Sequence, residues 1–187
     1  MKRKSWDSYF HDIAQKVAER STCLSQKIGA ILVKDKIIIC EGYNGPARGI
    51  PACGRDRLKH DYILRHKIEN DGLSPVFGAD DTCPRQRLGF ASGAGLRHCP
   101  AVHAEANCIA GAARMGVSTF GASMYLTCKV PCKDCMSLII NAGIVEVIVT
   151  EKFYYDELTS FIEKNAVPEL LIRTYTAANN ELGKYST

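Results

Sequence analysis

Residues 103–105 read His-Ala-Glu, and residues 131–135 read Pro-Cys-Lys-Asp-Cys. One imidazole and two thiols are the donors of a zinc site, because thiolate sulfur and neutral imidazole nitrogen both suit that ion. Cys132 and Cys135 stand at i and i+3, which puts them on one face of a helix. With His103 they make three ligands and leave the fourth tetrahedral position to water. That is the arrangement of a catalytic zinc; four protein ligands would close the site. Zinc brings the pKa of bound water down to roughly 7, so a nucleophile exists at neutral pH. Glu105 is then the catalytic proton carrier, taking the proton of the attacking water and returning it to the substrate. A purely structural zinc has no use for such a carboxylate.

Both motifs need elements to hold them. Each opens a predicted helix, Val102 to Met115 and Pro131 to Asn141, and a helix N-terminus favours thiolate over thiol. One difficulty stands: residues i and i+2 of a regular helix point apart. His103 and Glu105 can share one metal only at a helix edge, which Pro100 just upstream favours. The apolar face of the first helix is read as Val102, Ala106, Ile109, Ala110 and Ala113. Gly143 follows the second helix, as expected of a C-terminus. Ser5 caps a helix over Trp6 to Arg20, lined by Tyr9, Phe10, Ile13 and Val17. Lys27 to Lys34 and Lys36 to Tyr43 are β-branched-rich strands joined by a tight turn at Asp35. Further strands are expected at Ser123 to Thr127, Ile144 to Thr150 and Leu170 to Tyr175, with a helix at Tyr155 to Lys164.

The late strands alternate with helices, which implies an α/β fold with parallel pairing and helices on the sheet faces. Ligands in such sheets bind where strands end and helices begin. Residues 1–187 read as one domain, with an insertion over about 45–100 and a loose polar tail over about 177–187. The insertion is irregular apart from a helix near Arg55 to Asn70. A loop of that length is functional or tied down by something.

Composition narrows the function class. The chain has 187 residues, 46% hydrophobic and 24% charged, which excludes disorder by composition. Lys plus Arg is 24 and Asp plus Glu is 20, a net charge of +4 that makes a nucleic-acid partner unexpected. Asp7, His11 and Asp12 interrupt any signal-peptide core, and no stretch is apolar for long enough to span a bilayer. A cytoplasmic location and no membrane partner are therefore expected. There thiols stay reduced, so the nine cysteines point to metal rather than disulfides.

The paired motif His-x-Glu and Pro-Cys-x-x-Cys is the signature of zinc nucleobase deaminases. CPAVHAEANCI at 99–109 and MYLTCKVPCKDCMSLIINAGIVEVIV at 124–149 resemble the deoxycytidylate (dCMP) deaminases, the bacterial and bacteriophage members above all. RSTCLSQKIGAILV at 20–33 and GYNGPARG at 42–49 do so too. The resemblance implies a cytidine deaminase-like α/β/α three-layer sandwich with a central five-stranded mixed sheet. It implies hydrolysis of dCMP to dUMP and ammonia, on the route to dTMP. It also implies a homohexamer activated by dCTP and inhibited by dTTP with Mg2+. Related substrates, dCTP or 5-modified dCMP, stay open, as does tRNA adenosine deamination.

Cys23, Cys53, Cys83 and Cys99 stand out by position around the insertion. Four thiolates make a closed structural zinc site, which would anchor a segment with a weak hydrophobic pattern. The resemblance supports a second zinc there. His98 in place of Cys99, or ordinary buried thiols, are the alternatives. Cys40, Cys108 and Cys128 read as small core residues. For substrate, the resemblance places Asn44 near the sugar, the Ala104 main-chain amide at the base carbonyl and Tyr154 over the base. Ser25 and Lys27 are candidates for phosphate, with an arginine of the insertion or of a neighbouring subunit as the alternative. The segment Gly42, Tyr43, Asn44 and Gly45 corresponds to the relatives' regulatory-nucleotide site.

Overall fold

A computed structural model describes residues 3–71, 82–91 and 93–175. The expected loose tail lies outside them. In chain order the elements are α1 (Trp6–Glu19), β1 (Gly29–Lys34), β2 (Ile37–Tyr43), β3 (Gly45–Pro46), α2 (Arg55–His60), α3 (Tyr62–Asp71), α4 (Pro84–Arg87), β4 (Ala101–Val102), α5 (Ala104–Met115), β5 (Ser123–Leu126), α6 (Lys133–Asn141), β6 (Glu146–Val149), α7 (Glu157–Lys164) and β7 (Leu171–Thr174). They fall into two compact units. The first takes Met1–Arg20, Ile28–Tyr43 and His103–Thr187; the second takes Ser21–Lys27 and Asn44–Val102.

The first unit is a five-stranded sheet in the order β2-β1-β5-β6-β7. Strand β1 runs antiparallel to β2 and β5, and β5, β6 and β7 are parallel, so the sheet is mixed. The period-2 alternation of strand side chains sorts the core into two layers. Ile31, Val33, Tyr125 and Ile148 meet Phe10, Ala14 and Val17 of α1 on one face. Ala30, Leu32, Met124, Leu126, Val147 and Val149 meet Ala104, Cys108 and Ala112 of α5 and Met136 and Ile139 of α6 on the other. Each large side chain fully buried this way contributes about 2 kcal/mol of transfer free energy. The hairpin turn at Asp35 and Lys36 has both residues in the left-handed region, the twist that matches two antiparallel strands.

Two helix faces differ from expectation. On α1 the buried stripe is Phe10, Ala14 and Val17, while Tyr9 is exposed. On α5 it is Ala104, Glu105, Cys108 and Ala112, while Ala110 and Ala113 face solvent and Val102 belongs to β4. Close approach explains α5. A Cβ on Gly42 of β2 would fall 2.5 Å from the Cys108 amide nitrogen and 2.6 Å from the Ala104 carbonyl oxygen. A helix this near a strand presents its smallest side chains, not its most apolar ones.

In the second unit the expected helix over Arg55 to Asn70 is two helices. Asp61 divides them: its Oδ1 accepts from the Leu64 amide at 3.0 Å, starting α3, while its own amide closes α2 on the Arg57 carbonyl at 2.8 Å. Leu64, Ile68 and Cys83 are buried there. Strands β3 and β4 form a short antiparallel ladder, Gly45 with Val102 and Pro46 with Ala101. Two residues carry too little alternation to be read from sequence.

Candidate active site

The geometric difficulty at His103 is resolved by backbone conformation. His103 is the N-cap of α5, with φ −68° and ψ 154°, so it leaves the chain in extended geometry while Glu105 is already helical. Cys132 is likewise the N-cap of α6, at φ −65° and ψ 165°, with Cys135 in the first turn. Two helix N-termini therefore converge, and both favour anionic sulfur.

Among the described residues, His103, Cys132 and Cys135 bring their ligand atoms within 4.8 Å of one another. His103 Nδ1 lies 3.4 Å from Cys135 Sγ and 3.6 Å from Cys132 Sγ. With Zn–N of about 2.0 Å and Zn–S of about 2.3 Å, two ligands at the tetrahedral angle stand about 3.5 Å apart. The spacing fits a single zinc held through Nδ1. Without metal, the Cys135 thiol and then the His103 ring hold the Cys132 thiol well below its ordinary range, and the bond to Cys132 raises His103. Metal binding requires thiolates and a neutral imidazole.

Glu105 is 4% exposed, and burial pushes its carboxyl above the ordinary value. Its own amide and His103 oppose that shift. Cys128, also buried, has its thiol raised well above the usual range by burial and then by Glu105. Tyr155 has Cys128 and Glu105 among the groups acting on its hydroxyl. Tyr154, the aromatic expected over the base, donates its hydroxyl to Glu163, which also takes the Lys152 ammonium at 2.9 Å.

The other named residues divide between the units. Ala104 is fully buried at the first position of α5, where helix amides lack intrahelical acceptors. Gly42 is packed on α5, and the Tyr43 carbonyl accepts from Asn107 Nδ2 at 2.9 Å. Asn44, Gly45, Ser25 and Lys27 lie in the second unit. There Asn44 is buried, donating to the Gln26 carbonyl and accepting from Ser21 Oγ, both at 2.7 Å. Ser21 Oγ accepts in turn from the Cys23 amide at 3.1 Å.

Cys23, Cys53, Cys83 and Cys99 also lie in the second unit. Burial first, and then the charges of Cys99, Cys23 and Cys83, push the Cys53 thiol up to about 11, against the opposing charge of Arg57. Four thiolates are the donor set of a closed zinc site. Among the described residues, however, no three of these sulfurs lie within 4.8 Å of one another, as the ligand atoms of the His103 cluster do. Cys99 is the first of the thiols acting on Cys53. The His98 ring accepts from Arg97 Nε at 3.1 Å. Cys40, Cys108 and Cys128 are buried in the core of the first unit. No helix among the described residues is long and apolar enough to cross a membrane.

Residues 4–151 match the family model of the cytidine and deoxycytidylate deaminase zinc-binding region. The deoxycytidylate deaminase of Mycobacterium phage D29 is 34% identical over 153 residues, covering 79% of this chain and 96% of that one. That of Enterobacteria phage T4 is 35% identical over 150 residues, covering 75% of each. That of Schizosaccharomyces pombe is 31% identical over 180 residues, and this chain spans 47% of its length. The dCMP deaminase of cyanophage S-TIM5, in complex with dCMP and dUMP, superposes with a TM-score of 0.60 at 19% identity, covering 94% of this chain and 100% of that one. At that identity the likeness is one of fold.

Proposed function

The chain belongs to the cytidine and deoxycytidylate deaminase family, and from that premise we propose that it hydrolyses dCMP to dUMP and ammonia. The observation that carries the reading is the tetrahedral spacing of His103 Nδ1 and the two cysteine sulfurs, with the buried Glu105 carboxyl two residues from that histidine. His103, Cys132 and Cys135 would hold the catalytic zinc. When bound, the metal supplies a Lewis acid that makes water nucleophilic at neutral pH.

The chain's own residues do the proton work. Glu105 takes a proton from the attacking water and passes it to the ring nitrogen beside the amine-bearing carbon. It then carries the second water proton to the amine as the C–N bond breaks, so water and dCMP leave as dUMP and ammonia. Burial raises the Glu105 carboxyl from its ordinary value, the direction that suits a group acting as acid as well as base. The first-turn amide of Ala104 is a donor for the base carbonyl. Tyr154 is retained for the aromatic wall over the base.

A structural zinc on Cys23, Cys53, Cys83 and Cys99 is part of the same proposal and rests on the family resemblance, with the charges of the other three thiols acting on Cys53. Asn44, Ser25 and Lys27 are retained for sugar and phosphate. Binding of dCTP and of dTTP with Mg2+ at Gly42 to Gly45, a homohexamer and a cytoplasmic location rest on the family resemblance.

The test is ammonia release from dCMP, dCTP, CMP and 5-methyl-dCMP by zinc-loaded protein, repeated with dCTP or dTTP as effector. Turnover of dCMP is expected. No turnover of any of the four refutes the activity, and preference for another corrects the substrate.

A further inference from the structure

We infer that Glu163 is a positioning residue for the aromatic wall: by holding the Tyr154 hydroxyl and the Lys152 ammonium on its two carboxylate oxygens, it fixes the Tyr154 ring before substrate arrives. The inference rests on placing Tyr154 over the base.

Tyr154 belongs to the segment between β6 and α7, and that segment is fastened at both ends. The Thr150 amide donates to the Cys128 carbonyl at 3.0 Å. Asp156 caps α7 by accepting from the Thr159 amide at 2.6 Å. Between these points the side chains alternate. Glu151 and Phe153 go to Lys129, which lies just ahead of the Pro131–Cys132 turn. Its Nζ stands 3.0 Å from Glu151 Oε2 and 4.3 Å from the centre of the Phe153 ring. Lys152 and Tyr154 go to Glu163: Oε1 accepts from Lys152 Nζ at 2.9 Å, and Oε2 accepts from the Tyr154 hydroxyl. One set of contacts ties the segment to the chain leading into the zinc motif, and the other ties it to α7.

Burial decides which set holds the ring. The Lys129 and Glu151 side chains are 39% and 58% exposed, so water and salt screen that pair. The Glu163 side chain is 12% exposed, and Tyr154 packs against the core layer that includes Ala104 and Cys128. A carboxylate so shielded needs its partners, and its bond from a phenol is charge-assisted and directional. Tyrosine has only two side-chain torsions, and packing of the ring with a bond at its far end constrains both. A wall set in advance costs less ordering when the base binds.

The test measures steady-state kinetics and melting temperature of the zinc-loaded wild type, Tyr154→Phe, Glu163→Ala, their double variant, Glu163→Gln and Tyr154→Ala. The substrate is dCMP, or whichever of the four nucleotides above is turned over. Tyr154→Phe keeps the ring and removes its hold. It and Glu163→Ala are each expected to raise KM about tenfold, the worth of one hydrogen bond to a charged group, with kcat within about twofold of wild type. The double variant should be no worse than Glu163→Ala, because both changes remove the same contact. Glu163→Gln, whose amide oxygen still accepts from the phenol, should recover most of the loss. A KM that rises in Tyr154→Ala and stays at the wild-type value in Glu163→Ala overturns the inference alone, even if the melting temperature falls. Effects that multiply in the double variant do the same. A KM unaltered in Tyr154→Ala overturns the placement over the base and the inference with it, as does absence of turnover of all four nucleotides by the wild type.

Discussion

Gly42 lies against Cys108 so closely that a Cβ on it would stand 2.5 Å from the Cys108 amide nitrogen. The obstruction is helix backbone, which cannot rotate away. Gly42→Ala is therefore expected to push the first turns of α5 outward, at a cost of roughly 1–3 kcal/mol. Because His103 and Glu105 sit at the start of that helix, turnover should fall as well. Thermal unfolding and steady-state rates check both, and an alanine variant with native stability and rate would show that α5 is free to shift.

Glu105→Gln keeps the shape of the site and removes the proton carrier. Turnover is expected to drop by at least about a hundredfold, within the range general acid–base groups contribute. Zinc content should be unchanged, since the three ligands are elsewhere. A fully active variant would assign the proton transfers to another group.

Arg173 grips Asp7 through two nitrogens, at 2.5 and 2.8 Å, and Glu146 through Nε at 2.5 Å, while Tyr125 donates to Asp7 at 2.8 Å. Burial opposes ionisation of Asp7, but the bonds from Arg173 and Tyr125 outweigh it and hold the carboxyl below its ordinary value. A depressed carboxyl contributes stability above its unfolded pKa, about 3.9, and loses it as pH falls through the folded value. Asp7→Asn should cost roughly 1–2 kcal/mol at pH 7, allowing for partial exposure, and progressively less below about pH 4. Urea unfolding across that pH range measures it.

His11 stacks on Tyr175 at 4.0 Å between ring centroids, and its buried Nε2 has no partner among the described residues. Burial holds the ring below its ordinary pKa, with Asp12 partly offsetting. Stability from the neutral ring is present above about pH 6.5 and is lost as pH falls through the folded value. His11→Phe keeps the stack and removes both the orphan nitrogen and the titration. Its melting temperature should rise by about 2–4 °C at pH 7, as about 1 kcal/mol implies, and the gap should widen at pH 5. An unchanged gap between the two pH values would show that His11 does not titrate in this way.

The chemistry was legible because it is local. His103, Glu105, Cys132 and Cys135 are each identified by type and short spacing, and a zinc tetrahedron admits few other donor sets. The sheet followed from β-branched-rich runs such as Lys27 to Lys34, and the parallel half from alternation with helices. Close packing was not legible: nothing along α5 says that Ala104 and Cys108 face the sheet while Ala113 faces water, since that depends on Gly42 across the gap. The same holds for Tyr154, whose hydroxyl bonds to Glu163 on the following helix. Sequence determined which atoms can bind the metal and move the proton. Only the tertiary structure decided that His103 sits at a cap, off the helix, so that it and Glu105 can serve one site. Capping geometry depends on how the chain enters a helix, and that entry is set by long-range packing rather than by spacing.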